Sequence, residues 1–162
     1  MTPSRHPNVQ DWDTMLGAPE RWPGLLHAGA TPKSIARVAS GQLYLATPYS
    51  LQVTNPVTGR WVRRWSEQVA RGAALAQADL ALHGVTAVSP ISQSAAMCHI
   101  ESRLDPLDER FWARWCDAML WASRAVVVPN LPGWRHSLGV WREVVWALDH
   151  CVPVHVYGRA EG

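Results

Sequence analysis

The chain reads Ala125-Val126-Val127-Val128-Pro129-Asn130-Leu131-Pro132-Gly133-Trp134-Arg135-His136-Ser137-Leu138-Gly139-Val140-Trp141-Arg142-Glu143-Val144-Val145-Trp146-Ala147-Leu148, and shortly afterwards Val152-Pro153-Val154-His155-Val156-Tyr157. The opening run is apolar and β-branched with no polar alternation, so it is apolar on both faces, and strands of that kind belong to covered parallel sheets. A loop rich in turn formers feeds from it into a helix that opens at Ser137 and runs to about His150. The segment Val152 to Tyr157 gives a final strand. Ser137 is a good N-cap, Gly139 lets a ligand come close to the backbone, and the start of such a helix is an anion site. Glu143 lies six residues further on, among Val140, Trp141, Val144, Val145 and Ala147. A carboxylate there is either half-buried beside a ligand or merely solvated, and we read it as the first.

The same alternation extends towards the N-terminus. Leu43-Tyr44-Leu45-Ala46 is a short apolar run stopped by Thr47-Pro48, a buried strand with a loop at its carboxyl end. Trp61, Trp65, Val69, Ala73 and Ala76 repeat at helical spacing on to Leu80, with Arg63, Arg64, Glu67 and Arg71 on other faces, and Gly84 ends that helix. Val85 to Val88 is a second strand, closed by Ser89-Pro90-Ile91. From Ser92 to about Leu107 no periodic pattern emerges, which predicts a long connection of the lid or binding-loop kind. Phe111, Trp112, Trp115, Cys116, Met119 and Leu120 mark a further amphipathic helix. Strand and helix thus alternate from Gln42 to Tyr157. That order predicts an α/β fold, a Rossmann-like (flavodoxin-like) open parallel sheet flanked by helices, with its ligand site beyond the carboxyl ends of the strands. The α/β domain is assigned to residues 41–162. Residues 1–40, with Pro3, Pro7, Pro19, Pro23 and Pro32 between apolar anchors, read as an irregular arm that covers the crevice, builds a subunit contact or merely hangs free. Thr31-Pro32 within it suits a short helix through Ile35 and Val38.

Composition narrows the function classes. The chain has 162 residues, 48% hydrophobic and 17% charged, with a formal net charge of +2, the profile of a compact folded protein and not of a disordered one. Its basic residues are scattered among acidic ones, so no nucleic-acid polymer is expected as partner. Cys98, Cys116 and Cys151 are odd in number and widely spaced, which suggests neither a disulfide framework nor a zinc site. No apolar run is long enough to span a bilayer and Met1 to Asp13 lacks a signal-peptide core, so no membrane and a cytoplasmic location are expected. The ten Trp read as core and subunit-contact bulk rather than as surfaces that stack substrate. With amphipathic helices this rich in Trp, a homo-oligomer, dimer or larger, is expected. His99, Glu101, Arg103, Asp105 and Asp108 cluster in the long connection, but their spacing does not favour a metal. His99 and Arg103 stand there as secondary candidates for substrate contact.

Three segments at strand ends converge on one crevice: Thr47-Pro48-Tyr49-Ser50, Ser89-Pro90-Ile91, and Pro129 through Ser137. Tyr44-Leu45-Ala46-Thr47-Pro48-Tyr49-Ser50 after the first strand, Ser89-Pro90-Ile91 after the second, Asp117 in the next helix, and Gly133-Trp134 followed by Ser137-x-Gly139-Val140-x-x-Glu143-x-x-x-Ala147 resemble the nucleoside 2-deoxyribosyltransferase-like superfamily, closest to a bacterial and phage branch with no assigned activity. The resemblance covers roughly Gln42 to Tyr157.

It implies an enzyme acting on the N-glycosidic bond of a nucleoside or nucleoside 5′-monophosphate, with Glu143 as nucleophile and a glycosyl ester as intermediate. Asp117 would protonate or orient the departing base. The Ser-x-Gly segment, Ser137 to Gly139, would cup a 5′-phosphate, helped by Arg135 or His136. Tyr44 or Tyr49 would hydrogen-bond the nucleophile or pack on the base. Thr47, Pro48, Ser89, Pro90, Ile91, Gly133 and Trp134 complete the implied substrate-binding set, with no cofactor and no metal. Two positions depart from the superfamily pattern: Cys116-Asp117 stands where an Asn-Asp pair is common, and Ser123-Arg124 where an acidic residue often follows the Ser. Two other readings of the same residues are a non-catalytic nucleotide-binding or sensing module, and an assembly partner whose crevice is plugged by Trp22 or Trp134.

Overall fold

A computed structural model of the chain describes residues 10–158. Five strands form one sheet, β1 (Leu26–Ala30), β2 (Leu43–Leu45), β3 (Ala87–Val88), β4 (Val126–Val128) and β5 (Val154–Tyr157), all parallel and in the order β1-β5-β4-β2-β3. Among the described residues seven helices surround it: α1 (Trp12–Gly17), α2 (Pro32–Ala36), α3 (Ser50–Val53), α4 (Arg63–Leu82), α5 (Pro90–Ile100), α6 (Glu109–Ala122) and α7 (Leu138–Asp149). The fold is the α/β Rossmann-like open sheet expected from the alternation. No helix among the described residues is long and apolar enough to cross a membrane.

Strand periodicity divides the core in two. Tyr44, Ala46, Val126, Val128, Val154 and Val156 point to one side and meet Leu120 of α6, Val140, Val144 and Ala147 of α7, and Trp12, Met15 and Trp22 of the N-terminal segment. Leu43, Leu45 and Val127 point to the other side and meet Ile35 of α2, Leu80 of α4 and Val85. Both faces of the central strands are therefore dry, which is why those strands read as unbroken apolar runs.

The chain order reverses between β2 and β4. From β2 the chain goes to the edge strand β3, then returns past β2 to β4 and on to β5. Helices from the two directions part at this point, and a crevice opens beyond the strand ends.

Two stretches differ from expectation. The 1–40 arm is not irregular throughout: Leu26–Ala30 pairs in parallel with β5 as a fifth strand, Leu26 opposite Val154 and Ala28 opposite Val156, with a register shift at Gly29. Its sequence, Leu-His-Ala-Gly-Ala, has little β-propensity and only its two ends are buried, so no periodic signal marks it. Residues 1–9 lie outside the described part. The connection from Ser92 is helix α5 up to Ile100. Ser89 and Pro90, read as a strand-closing loop, are its N-cap and first residue, the Ser89 hydroxyl accepting from the Ser92 amide at 3.3 Å. Its own sequence, Pro-Ile-Ser-Gln-Ser-Ala-Ala-Met-Cys-His-Ile, buries only Pro90, Ser94 and Ala95 and leaves no apolar stripe to read. The short helix α2 does start at Pro32 with Thr31 as cap, in a reciprocal capping box with Ser34.

Candidate active site

The carboxyl end of β2 runs into Thr47-Pro48-Tyr49 and then α3. The carboxyl end of β4 runs through Pro129 to a 3-10 turn at Trp134–His136 and then α7. Between these ends, closed on the sides by α5 and α6, lies a cavity of about 460 Å³. That volume suits a small organic ligand. Its wall includes Thr47, Pro48, Tyr49, Gln52, Ile91, Cys116, Asp117, His136, Ser137, Gly139, Arg142, Glu143 and Trp146. Glu143 and Asp117 thus face one hollow from neighbouring helices.

Glu143 is half-buried and borders the cavity. The Tyr44 hydroxyl donates to its Oε1 at 2.6 Å. Tyr44 is almost fully enclosed under α7, so of the two tyrosines it is the one that touches the carboxylate. Burial pushes the Glu143 carboxyl up to about 7, while the Tyr44 hydrogen bond pulls it down. Burial first, and then the Glu143 charge, hold the Tyr44 phenol well above its ordinary value. The Cys116 thiol is pushed up to about 11, again by burial first and by Glu143 second. At neutral pH the phenol and the thiol therefore keep their protons, and Glu143 is the group poised to change state. Asp117 is exposed on α6 where it borders the cavity.

The helix start beside this carboxylate is built as the sequence suggests. The Ser137 hydroxyl caps α7 by accepting from the Val140 amide at 3.3 Å. The first-turn amides of Leu138 and Gly139 are of the kind a helix leaves without intrahelical partners. An added Cβ at Gly139 would meet nothing closer than the Ser137 hydroxyl at 3.7 Å, so the protein's own packing does not demand glycine there. Thr47 is buried in the wall, and its hydroxyl has no hydrogen-bond partner among the described residues.

Several expected contacts fall elsewhere. Tyr49 borders the cavity, but its hydroxyl is engaged away from Glu143: it bonds Ser66 Oγ at 2.8 Å and accepts from Trp61 Nε1 at 3.0 Å. Ser89 and Pro90 are buried at the start of α5 and do not line the cavity. Trp134 is buried in the core, meeting Trp12 edge-to-face at 4.7 Å and donating to Asn130 at 3.2 Å. Gly133 has φ +80, and a Cβ there would collide with the Gln52 amide. Its role is to turn the chain beside α3, not to touch a ligand in the cavity. Arg135 is paired with Asp13 at 2.6 Å and lies over the Trp134 ring, leaving His136 as the one of the pair at the cavity.

His99 bonds Ser66 Oγ at 3.0 Å and Arg103 pairs with Glu101 at 2.7 Å, and neither lines the cavity. Asp108 caps α6. Among the described residues no three His, Cys, Asp or Glu side chains are grouped to hold a metal. The described part of the N-terminal arm, Trp22 included, contributes nothing to the cavity wall.

Several wall residues were not anticipated, among them Cys116, Arg142, Trp112 and Trp146. Cys116 and Asp117 are neighbours, yet only the acid was singled out, because a thiol carries no charge to mark it. Arg142 precedes Glu143 and reaches towards Glu109 at 3.8 Å. Trp112 and Trp146, read as bulk, both border the cavity. Trp146 follows Glu143 by three residues, so helical spacing alone put them on one face.

No curated protein matches the chain at a significant level. A family model described as a domain of unknown function, DUF1937, matches residues 41–159, well over half of the chain. The chain belongs to the DUF1937 family.

Proposed function

We propose that this pocket cleaves or transfers the N-glycosidic bond of a nucleoside or nucleoside 5′-monophosphate, as the motif resemblance to the nucleoside 2-deoxyribosyltransferase-like superfamily implies. The observation that carries the reading is Glu143, a half-buried carboxylate opening on a cavity and held at 2.6 Å by Tyr44. Its ionised oxygen attacks C1′ of the sugar, and the bond from C1′ to the base nitrogen breaks with the electron pair leaving on the base. Asp117 gives the departing base its proton. Water, or the nitrogen of a second base, then attacks the glycosyl ester at C1′ and passes a proton back to Asp117, which frees Glu143. Tyr44 acts as a positioning residue, because it fixes the carboxylate and favours its charged form. A 5′-phosphate sits at the start of α7, against the amides of Leu138 and Gly139 and beside His136.

The test is a panel of nucleosides and nucleoside 5′-monophosphates incubated with wild type and with Glu143→Ala, with free base as readout. Wild type is expected to release base, and the variant to lose at least about a thousandfold in rate. A variant that keeps its rate removes Glu143 from the mechanism. Tight binding by wild type with no base released from any member makes the domain a nucleotide sensor instead.

A further inference from the structure

The cavity has an unequal wall. Polar groups gather at the strand ends and the start of α7, and the part between α6 and α7 adds Trp112, Leu120 and Trp146 together with Glu109, Asp117 and Arg142. Helix geometry orders these parts along one line. At about 1.5 Å per residue, Glu143 stands roughly 9 Å along α7 from Ser137, and Trp146 about 4.5 Å beyond Glu143. On α6, which runs in the same direction as α7, Trp112 stands one turn before the Cys116-Asp117 pair, on the side of the phosphate, whereas Trp146 lies on the other side of Glu143.

With the reading above, a phosphate at the start of α7 and C1′ at Glu143 leave the base one direction in which to extend. That direction runs away from the phosphate, into the space between the two helices that Trp146 borders.

Both indoles are held in place by contacts outside the cavity. Trp146 stacks on His150 at 4.4 Å with 20° between the planes, and meets Trp121 edge-on at 4.9 Å. The Trp112 indole N–H donates to the Asp105 carbonyl at 2.8 Å, and its ring meets Trp115 at 5.6 Å, near perpendicular. A tryptophan braced in this way loses little freedom when a flat ligand packs against it, so its contact area converts into affinity with small loss.

From this arrangement we infer that the leaving group is a purine. A bicyclic base covers more indole surface than a pyrimidine, stacking strength grows with the overlapped ring area, and a volume of about 460 Å³ has room for the larger base. Trp146 offers a flat face and not a set of hydrogen-bonding groups, so at this residue size and flatness count for more than the edge pattern of the base. The inference rests on the glycosidic reading of the pocket and adds to it the class of base.

The experiment measures kcat/KM for release of adenine, hypoxanthine, cytosine and uracil from matched nucleosides and their 5′-monophosphates, with wild type, Trp146→Leu and Trp146→Ala. Wild type is expected to favour both purines over both pyrimidines by about tenfold or more. Each variant that retains a cooperative thermal transition is expected to bring that ratio down towards one, chiefly by a loss on the purines. Equal rates for the two classes, or a pyrimidine preference in wild type, overturn the inference while leaving Glu143 as nucleophile. An unchanged purine preference in a folded Trp146 variant also overturns it, because the indole then does not read the base. Absence of base release from every substrate is a different result, which fails the glycosidic reading and the inference with it.

Discussion

Glu143 carries two consequences that are measurable at the level of one side chain. It attacks only when ionised, and burial has raised it to about 7, so kcat/KM is expected to rise with pH along a limb centred near that value. A limb that falls there instead would assign Glu143 the acid's role. Replacing Tyr44 by Phe removes the donor that favours the charged form, so the limb should move to higher pH and the rate at neutral pH should drop. The same raised value acts on stability. Between about 4.5 and 7 the folded protein holds a proton on Glu143 that the unfolded chain releases, so this residue's contribution is full below 4.5 and is lost as pH rises through 7. Glu143→Gln should therefore gain up to about 3 kcal/mol over wild type at pH 8 and nothing at pH 4. Urea denaturation at the two pH values checks this, and equal stabilities at pH 8 would mean that the carboxylate is better solvated than its surroundings suggest.

Among the elements, α7 matters most, and its first turn is fixed by a helix far away in sequence. Trp12 of α1 donates to the Arg135 carbonyl at 3.0 Å and packs edge-on against Trp134 and Trp141. Asp13 holds Arg135 at 2.6 Å. The arm thus braces the turn that delivers Ser137 and His136 to the cavity. Trp12→Ala should cost about 3–5 kcal/mol by the removal of a buried indole. If the denaturation midpoint hardly moves, α1 is a passive cover.

None of this bracing was legible beforehand, since prolines and scattered apolar residues carry no period. The helix α7 itself was legible, because Ser137 announces its start and its apolar residues recur at helical spacing. Tyr44 and Glu143 were both singled out, yet their meeting depends on β2 lying beside β4 and under α7, a matter of tertiary order that no local pattern encodes. By contrast, α5 hid in plain view: Ser89-Pro90 is as good a helix opening as Thr31-Pro32, but the residues after it lack an apolar stripe.

Across the whole molecule, two titrating groups, half-buried Glu143 and buried His155, oppose one another. His155 on β5 stacks against His27 of β1 at 4.7 Å, and burial first, then that neighbour, lower it to about 4 from 6.5. Its sign is the reverse of Glu143's: the unfolded chain takes up the proton first, so stability is lost as pH falls from about 6.5 towards 4. The two effects overlap, and the wild-type profile between pH 4.5 and 6.5 should be nearly flat. In His155→Val the opposing part is gone, and stability should climb as pH falls from 7 to 5. An unaltered profile in that variant would show His155 to be in ready contact with water.

The sheet's two rims point to a further property. One rim is a strand of two residues, β3, and the other, β1, changes register at Gly29, where φ is +74. Neither presents a long, straight ladder of open amides, so a stray extended chain finds no template on which to grow a fibril. Pairing of copies along an extended sheet rim is disfavoured for the same reason.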